Sequence, residues 1–320
     1  MENWTCPICG TNQIPNLVAD VVWSTTIPGP DRYDVIRCRN CEVEVADPMP
    51  SSEVLSQYYS DYHPTQVLEN EYRANRLVEL QESIVSFLIS QLGGFRPDLR
   101  FLDYGFGAGA FLLRVAQRGL SATGLDFGEQ NIQQLQKISR DKGLNIPLYD
   151  IERDGLKTLQ GNTYDCVTLF QVVEHLVSPL SVLTELRDLQ KPGGILYIEC
   201  PNQAGLFFKI KNLIRPLINR KYMWGSLSPP QHVLGFTKKS LQILLKRAGY
   251  EPLVVSDYRV ADGLHAPETL YWYPTVREWA SDRNYRSPYG TAKMLIRLFD
   301  FPASKIFSSG GGLYALAKRV

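Results

Sequence analysis

The stretch Asp103-Tyr104-Gly105-Phe106-Gly107-Ala108-Gly109 follows a short apolar run, Arg100 to Asp103, and opens directly into the helical pattern Ala110 to Arg118. A strand, a glycine turn and a helix in that order build a ligand cradle. Glycines allow the sharp turn and let a ligand reach main-chain amides that a Cβ would screen. Gly105-x-Gly107-x-x-Ala110 also satisfies the dinucleotide fingerprint, so a nicotinamide cofactor has to be weighed. Asp103 separates the readings. A carboxylate at the end of the first strand opposes a pyrophosphate, whereas it complements the ammonium and sulfonium charges of S-adenosylmethionine.

Asp126 ends the next strand, 21 residues after Gly105, where a carboxylate grips both ribose hydroxyls. Asp150 ends the third, where it accepts from an adenine amine while Ile151 packs on the ring, or else is an ordinary turn carboxylate. Short apolar strands alternate with amphipathic helices throughout this region, the sign of a parallel sheet covered on both faces. Strands are expected at Arg100 to Asp103, Ala122 to Asp126, Pro147 to Ile151, Asp165 to Phe170, Ile195 to Glu199, Leu253 to Tyr258 and Leu313 to Ala317. Helices are expected at Ala110 to Arg118, Glu129 to Lys142, Leu180 to Leu189 and Lys238 to Ala248, the last with Thr237 as N-cap and Gly249 as stop. A longer pattern, Glu69 to Leu92, precedes them and ends at Gly93-Gly94.

Upstream, Cys6-Pro7-Ile8-Cys9 and Cys38-Arg39-Asn40-Cys41 form two tight pairs. Each can aim two sulfurs at one centre, and together they supply four soft ligands for tetrahedral zinc. The 28 residues between the pairs exceed the about fifteen to twenty usual for such sites, with room for strands at Val18 to Trp23 and Tyr33 to Ile36. Unliganded cysteines or a redox pair are the alternatives. Four thiolates would leave no open position for substrate, which makes the zinc structural. Cys166 and Cys200 fit small buried apolar positions.

The chain has 320 residues, 44% of them apolar, and a formal net charge of +1. That length suits about two domains and excludes a disordered or disulfide-scaffold protein. Near-neutral charge gives no global reason for a polyanion partner. Sparse, paired cysteines suit a reducing compartment, and no leader or membrane-spanning run is evident, so a soluble cytoplasmic protein is expected. The expected division is a zinc ribbon at 1–50, an aromatic connector and leading helix at 51–98, and a main domain at 99–320 with insertions near 201–236 and 262–309.

Assembled, these residues resemble a class I S-adenosylmethionine-dependent methyltransferase. Asp103 to Gly109 matches the family's D-x-G-x-G-x-G, Tyr164 to His175 resembles its fourth-strand motif, and Leu189-Gln190-Lys191-Pro192-Gly193-Gly194 looks like its turn into the fifth strand. The resemblance implies a Rossmann-like α/β fold: a seven-stranded, mostly parallel sheet with helices on both faces, and a reversed last strand at Gly312 to Arg319. It also implies cofactor contacts at Asp103, Gly105, Gly107, Gly109, Asp126, Asp150 and Gln171. The cysteine pairs, the connector with Asp47-Pro48 and Tyr58-Tyr59, and this core together resemble bacterial methyltransferases of surface-polysaccharide and sugar pathways. Their C-methylating branch carries a further C-terminal domain that this length does not hold, so O-methylation of a sugar or other small molecule is the first expectation.

If the acceptor is a poor nucleophile, a base is needed. His232, in Ser228-Pro229-Pro230-Gln231-His232, is the sharpest candidate, with helix capping its alternative. His175 is a second, its alternative a packing role, and Tyr222 a third. Between Cys200 and Tyr250 there are nine Lys or Arg and no Asp or Glu. Such a face suits a phosphorylated or glycan-linked acceptor, weak contact with a membrane surface through Leu206 to Arg215, or simple solvation. The insertion 262–309 can cover the acceptor or pair subunits into an oligomer. Competing readings are an RNA methyltransferase docking through its ribbon and a cofactor-binding module without catalysis. Against RNA, residues 1–50 are not basic, and Gln171 to Glu174 replaces the Asn/Asp-Pro-Pro-Tyr of base N-methyltransferases.

Overall fold

A computed structural model describes residues 4–22, 32–60, 71–214, 225–258 and 310–320. Tyr222 and the insertion 262–309 lie outside them. Two sheets organise the rest. The larger has β4 (Arg100–Tyr104), β5 (Ser121–Asp126), β6 (Leu148–Asp150), β7 (Tyr164–Phe170), β8 (Gln190–Pro201), β10 (Tyr250–Tyr258) and β11 (Gly312–Arg319). Their order is β10-β11-β8-β7-β4-β5-β6. β4 to β8 run parallel, and β11 is reversed between β8 and β10. This is the expected fold, with each expected strand and helix of the main domain present.

Strands buried on both faces alternate which core they feed. Phe101, Cys166, Ile195 and Tyr197 point to the side covered by α2 (Glu71–Gln91), α3 (Ala110–Gln117) and α4 (Glu129–Asp141). Leu102, Val167, Leu196 and Ile198 point the other way, beneath α5 (Pro179–Asp188) and α7 (Lys238–Arg247). Cys166 and Cys200 are fully buried.

That second core continues into the N-terminal module through Ile8, Val35, Val43, Leu227 and Phe236. There β1 (Asn16–Val22), β2 (Arg32–Arg37) and β3 (Glu44–Asp47) form an antiparallel sheet whose fourth strand, β9 (Leu234–Gly235), comes from the main domain. Residues 1–50 thus share a sheet with a segment nearly two hundred residues away. Lys239 pairs with Glu42 at 2.9 Å and Arg247 donates to the Ile8 carbonyl at 2.6 Å, so two of the nine cations serve this junction. A third, Lys238, pairs with Asp257.

The connector expected from 51 carries a helix, α1 (Ser52–Ser60), and α6 (Leu206–Ile214) forms in the expected amphipathic stretch. α7 begins with a full capping box between Thr237 and Ser240. Replacing Thr237 with Ala should lower stability by about 1 kcal/mol in urea unfolding, because the Ser240 N–H loses its acceptor.

Candidate active site

Parallel strands present their carboxyl ends to one edge, and the chemically interesting residues stand there. After β4, Gly105, Gly107 and Gly109 all take positive φ, at 77°, 52° and 73°. A Cβ on Gly105 would meet Val172 at 2.5 Å and one on Gly109 would meet Leu135 at 2.3 Å, whereas at Gly107 nothing lies within 4 Å. Two glycines let the loop pack, and the space beside Gly107 is open.

Asp103 is fully buried and accepts from the Thr168 hydroxyl at 2.7 Å. Desolvation pushes its carboxyl up to about 7. Asp126, at the end of β5, accepts from the main-chain N–H groups of Gly107 and Phe127, the latter at 2.6 Å. Burial raises it to about 6. Asp103, held out of water beside Thr168, favours a positively charged group that restores its ionised form, as an S-adenosylmethionine ammonium would and a pyrophosphate would not, while half-buried Asp126 stands at the strand end where a ribose could offer its hydroxyls.

Asp150 is buried, but its Oδ1 takes the N–H groups of Glu152 at 2.9 Å and Arg153 at 3.1 Å. It thus caps the turn after β6, next to half-buried Ile151. Gln171 is exposed, with φ at 55°, an unusual conformation for a residue with a side chain.

Beyond β7 the chain makes one tight 3-10 turn, Val173–His175. The Val233 N–H donates to the Glu174 carbonyl at 2.9 Å, which brings the distant His232 to this turn. The imidazoles of His175 and His232 meet edge to face, 4.6 Å between centroids. His232 Nδ1 lies 2.8 Å from the Ser226 carbonyl oxygen. A carbonyl only accepts, so Nδ1 carries the proton and the basic lone pair is on Nε2. Thr237, not His232, caps α7.

His175 is different. Burial, with the neighbouring His232, pushes it down to about 3, which keeps it neutral and makes it a poor proton acceptor. Its Nδ1 shares a 2.7 Å hydrogen bond with the Tyr59 hydroxyl, and the Tyr59 ring stacks on Phe127 at 5.5 Å. Helix α1 therefore reaches the site, a role the sequence marked only as an aromatic connector. Glu174 is fully buried, desolvation raises it to about 8, and neither of its oxygens has a hydrogen-bond partner among the described residues. Ligand atoms of Glu174, His175 and His232 lie within 4.8 Å of one another, a donor set that also suits a divalent cation.

The four N-terminal cysteines are free thiols. Cys6 and Cys41 sulfurs are 3.5 Å apart, and those of Cys9 and Cys38 are 3.6 Å apart. Four thiolates bound at about 2.3 Å around a tetrahedral ion stand about 3.8 Å from one another, so the arrangement fits zinc and is too open for disulfides. Both Cys-x-x-Cys turns end in a left-handed residue, Gly10 at 72° and Glu42 at 67°.

A seven-stranded sheet of this order, with a glycine cradle between a buried and a half-buried carboxyl, defines an S-adenosylmethionine-dependent methyltransferase. Residues 70–255, more than half the chain, match the family model described as a methyltransferase domain, and the protein belongs to that family. It is 28% identical over 61% of its length to a ubiquinone biosynthesis O-methyltransferase of Dinoroseobacter shibae, covering 73% of that protein. With the Bordetella avium protein of the same name it shares 29% over 51% of its length, covering 67% of that relative. Others carrying that name are matched over as little as 60% of their lengths. Magnesium protoporphyrin IX methyltransferase of Synechocystis, solved with bound SAH, shares the fold at a TM-score of 0.51 and 14% identity, over 84% of this chain and all of that one.

The raised carboxyls imply a pH dependence. With cofactor absent they are protonated below about pH 7 and 6, and binding a cation requires their ionised forms. Cofactor affinity should be full above these values and fall by about tenfold per pH unit for each group that must ionise. Calorimetry between about pH 5 and 8 checks the slope. Asp103→Asn should weaken binding about 10- to 100-fold and flatten that dependence.

Proposed function

We propose that the protein transfers a methyl group to a hydroxyl of a small molecule, with His232 as the base. The observation that carries this is the Nδ1–H of His232 on the Ser226 carbonyl, which puts the acceptor lone pair on Nε2 at the carboxyl edge of the sheet. S-adenosylmethionine supplies an electrophilic methyl on sulfonium. Asp103, Asp126 and the backbone at Gly107 hold and orient that group, while Asp150, Ile151 and Gln171 border its adenosine side. His232 Nε2 would take the proton of the acceptor hydroxyl as its oxygen formed the new O–C bond, the sulfur leaving with the C–S electron pair as a neutral thioether. The Ser226 carbonyl steadies the imidazolium, and neutral His175, tied to Tyr59, holds the second wall.

The O-methyltransferase activity for which the relatives are named supports an oxygen acceptor. Two acceptor types are carried forward: a sugar or glycan-linked hydroxyl, from the resemblance of the module arrangement, and an aromatic hydroxyl, from the ubiquinone-pathway names of the relatives. Either needs a base, since free hydroxyls ionise well above neutral pH. Among the described residues, no helix is long and apolar enough to cross a membrane. We further propose that Cys6, Cys9, Cys38 and Cys41 hold one structural zinc and that the protein works in a reducing, cytoplasmic setting.

His232→Ala should abolish more than about 99% of turnover on an acceptor panel of sugars and phenols while leaving cofactor affinity within about twofold. Wild-type turnover in that variant, or activity lost to EDTA and restored by magnesium, would overturn the base assignment. One zinc per chain by elemental analysis, lost in Cys38→Ser together with stability of the N-terminal sheet, is the expected result for the thiolates.

A further inference from the structure

One buried polar chain joins the N-terminal sheet to the proposed base, and no cofactor or acceptor contact accounts for it. Glu44, on β3, is 2% exposed. Arg37 donates to its Oε1, at 2.9 Å from Nε, and Gln203 Nε2 donates to its Oε2. Oε1 of Gln203 then accepts twice from Ser226, from the N–H at 2.8 Å and the hydroxyl at 2.7 Å. The carbonyl of the same Ser226 holds His232 Nδ1.

The chemistry fixes each direction along this chain. A main-chain N–H only donates, so the Gln203 oxygen must face Ser226, and its amide nitrogen then faces the acceptor Glu44. Space is reserved for the Gln203 side chain by two glycines. A Cβ at Gly225 would lie 2.4 Å from Gln203 Nε2, and one at Gly235 3.1 Å from its Cγ. Gly225 itself sits at a φ of 57°. Gly235 is also the β9 partner of Glu44 in the shared sheet. Burial of Glu44, Gln203 and Ser226 makes the bonds among them costly to leave unmade, so Ser226 is held in place at both its N–H and its hydroxyl.

We propose that Glu44 and Gln203 are positioning residues for His232: by holding Ser226 at its N–H and its hydroxyl they fix the residue whose carbonyl meets Nδ1 and so set the imidazole tautomer. The N-terminal module is thereby a structural part of the acceptor side of the active site, since the strand bearing Glu44 begins three residues after Cys41. This builds on the reading of His232 as base. Which ring nitrogen is protonated is set by the bond the other one makes, and only the Nδ1–H form leaves Nε2 able to take a proton.

The test is imidazole nitrogen NMR on the full-length, 15N-labelled protein, whose four histidines make assignment by substitution practical. Wild-type His232 should show the Nδ1–H tautomer. Gln203→Met, close in size and unable to hydrogen-bond Ser226, should turn it into a mixture of tautomers and lower kcat by about tenfold or more, with cofactor affinity within about twofold. Glu44→Gln keeps the shape and an acceptor for Gln203, and should give a smaller loss of about two- to fivefold; it covers the case in which Gln203→Met does not fold. In a His232→Ala background neither substitution should lower kcat further. An unchanged His232 tautomer in folded Gln203→Met and Glu44→Gln, or an undiminished loss in the His232→Ala background, would overturn the positioning role. Turnover of His232→Ala alone decides the base, while the tautomer spectra decide the positioning, so the two ideas fail separately.

Discussion

Five parallel strands that end on one edge are the constraint from which the rest of this protein hangs. β4 delivers Asp103 and the glycine loop, β5 Asp126, β6 Asp150, β7 the turn with Glu174 and His175, and β8 the segment that begins at Gln203. The strands run from three to twelve residues, and each side chain alone is commonplace. Parallel pairing leaves their carboxyl ends in a row and so gathers these side chains into one cleft.

Electrostatics then divides that cleft. On the cofactor side, two desolvated carboxyls lie at the ends of adjacent strands and are raised toward neutrality, a condition relieved by a bound cation. On the acceptor side, burial keeps His175 neutral and Glu174 protonated, so a turn that reads as charged in sequence carries little charge at neutral pH. His232 differs in that its Nδ1 meets a main-chain carbonyl oxygen, which only accepts and so fixes the proton on that nitrogen.

The N-terminal module contributes more than its four clustered cysteines. Its third strand pairs with Leu234–Gly235, and its core runs on into the face beneath α5 and α7. Sheet pairing on one side of this joint and the Val233 hydrogen bond to Glu174 on the other hold the His232 loop between two rigid bodies. A loop so held needs little rearrangement to present a side chain, which is how a segment inserted between a strand and a helix acquires a fixed geometry.

Composition, strand and helix periodicity, the glycine loop with Asp103 and Asp126, and the paired cysteines were readable directly, because each depends on neighbours within a few residues. The helix Ser52–Ser60 went unseen because its tyrosines suggested only an aromatic connector. The short strand Leu234–Gly235 carries no period that two residues can display. Gln203 and Glu44 look unremarkable at 159 positions apart and acquire a role only when β3 lies beside β9. Local chemistry, then, determined the fold class and the cofactor side. Tertiary structure decided which histidine carries its proton on Nδ1 and which is desolvated to neutrality, since tautomer and desolvation depend on groups that meet only after the chain has closed on itself.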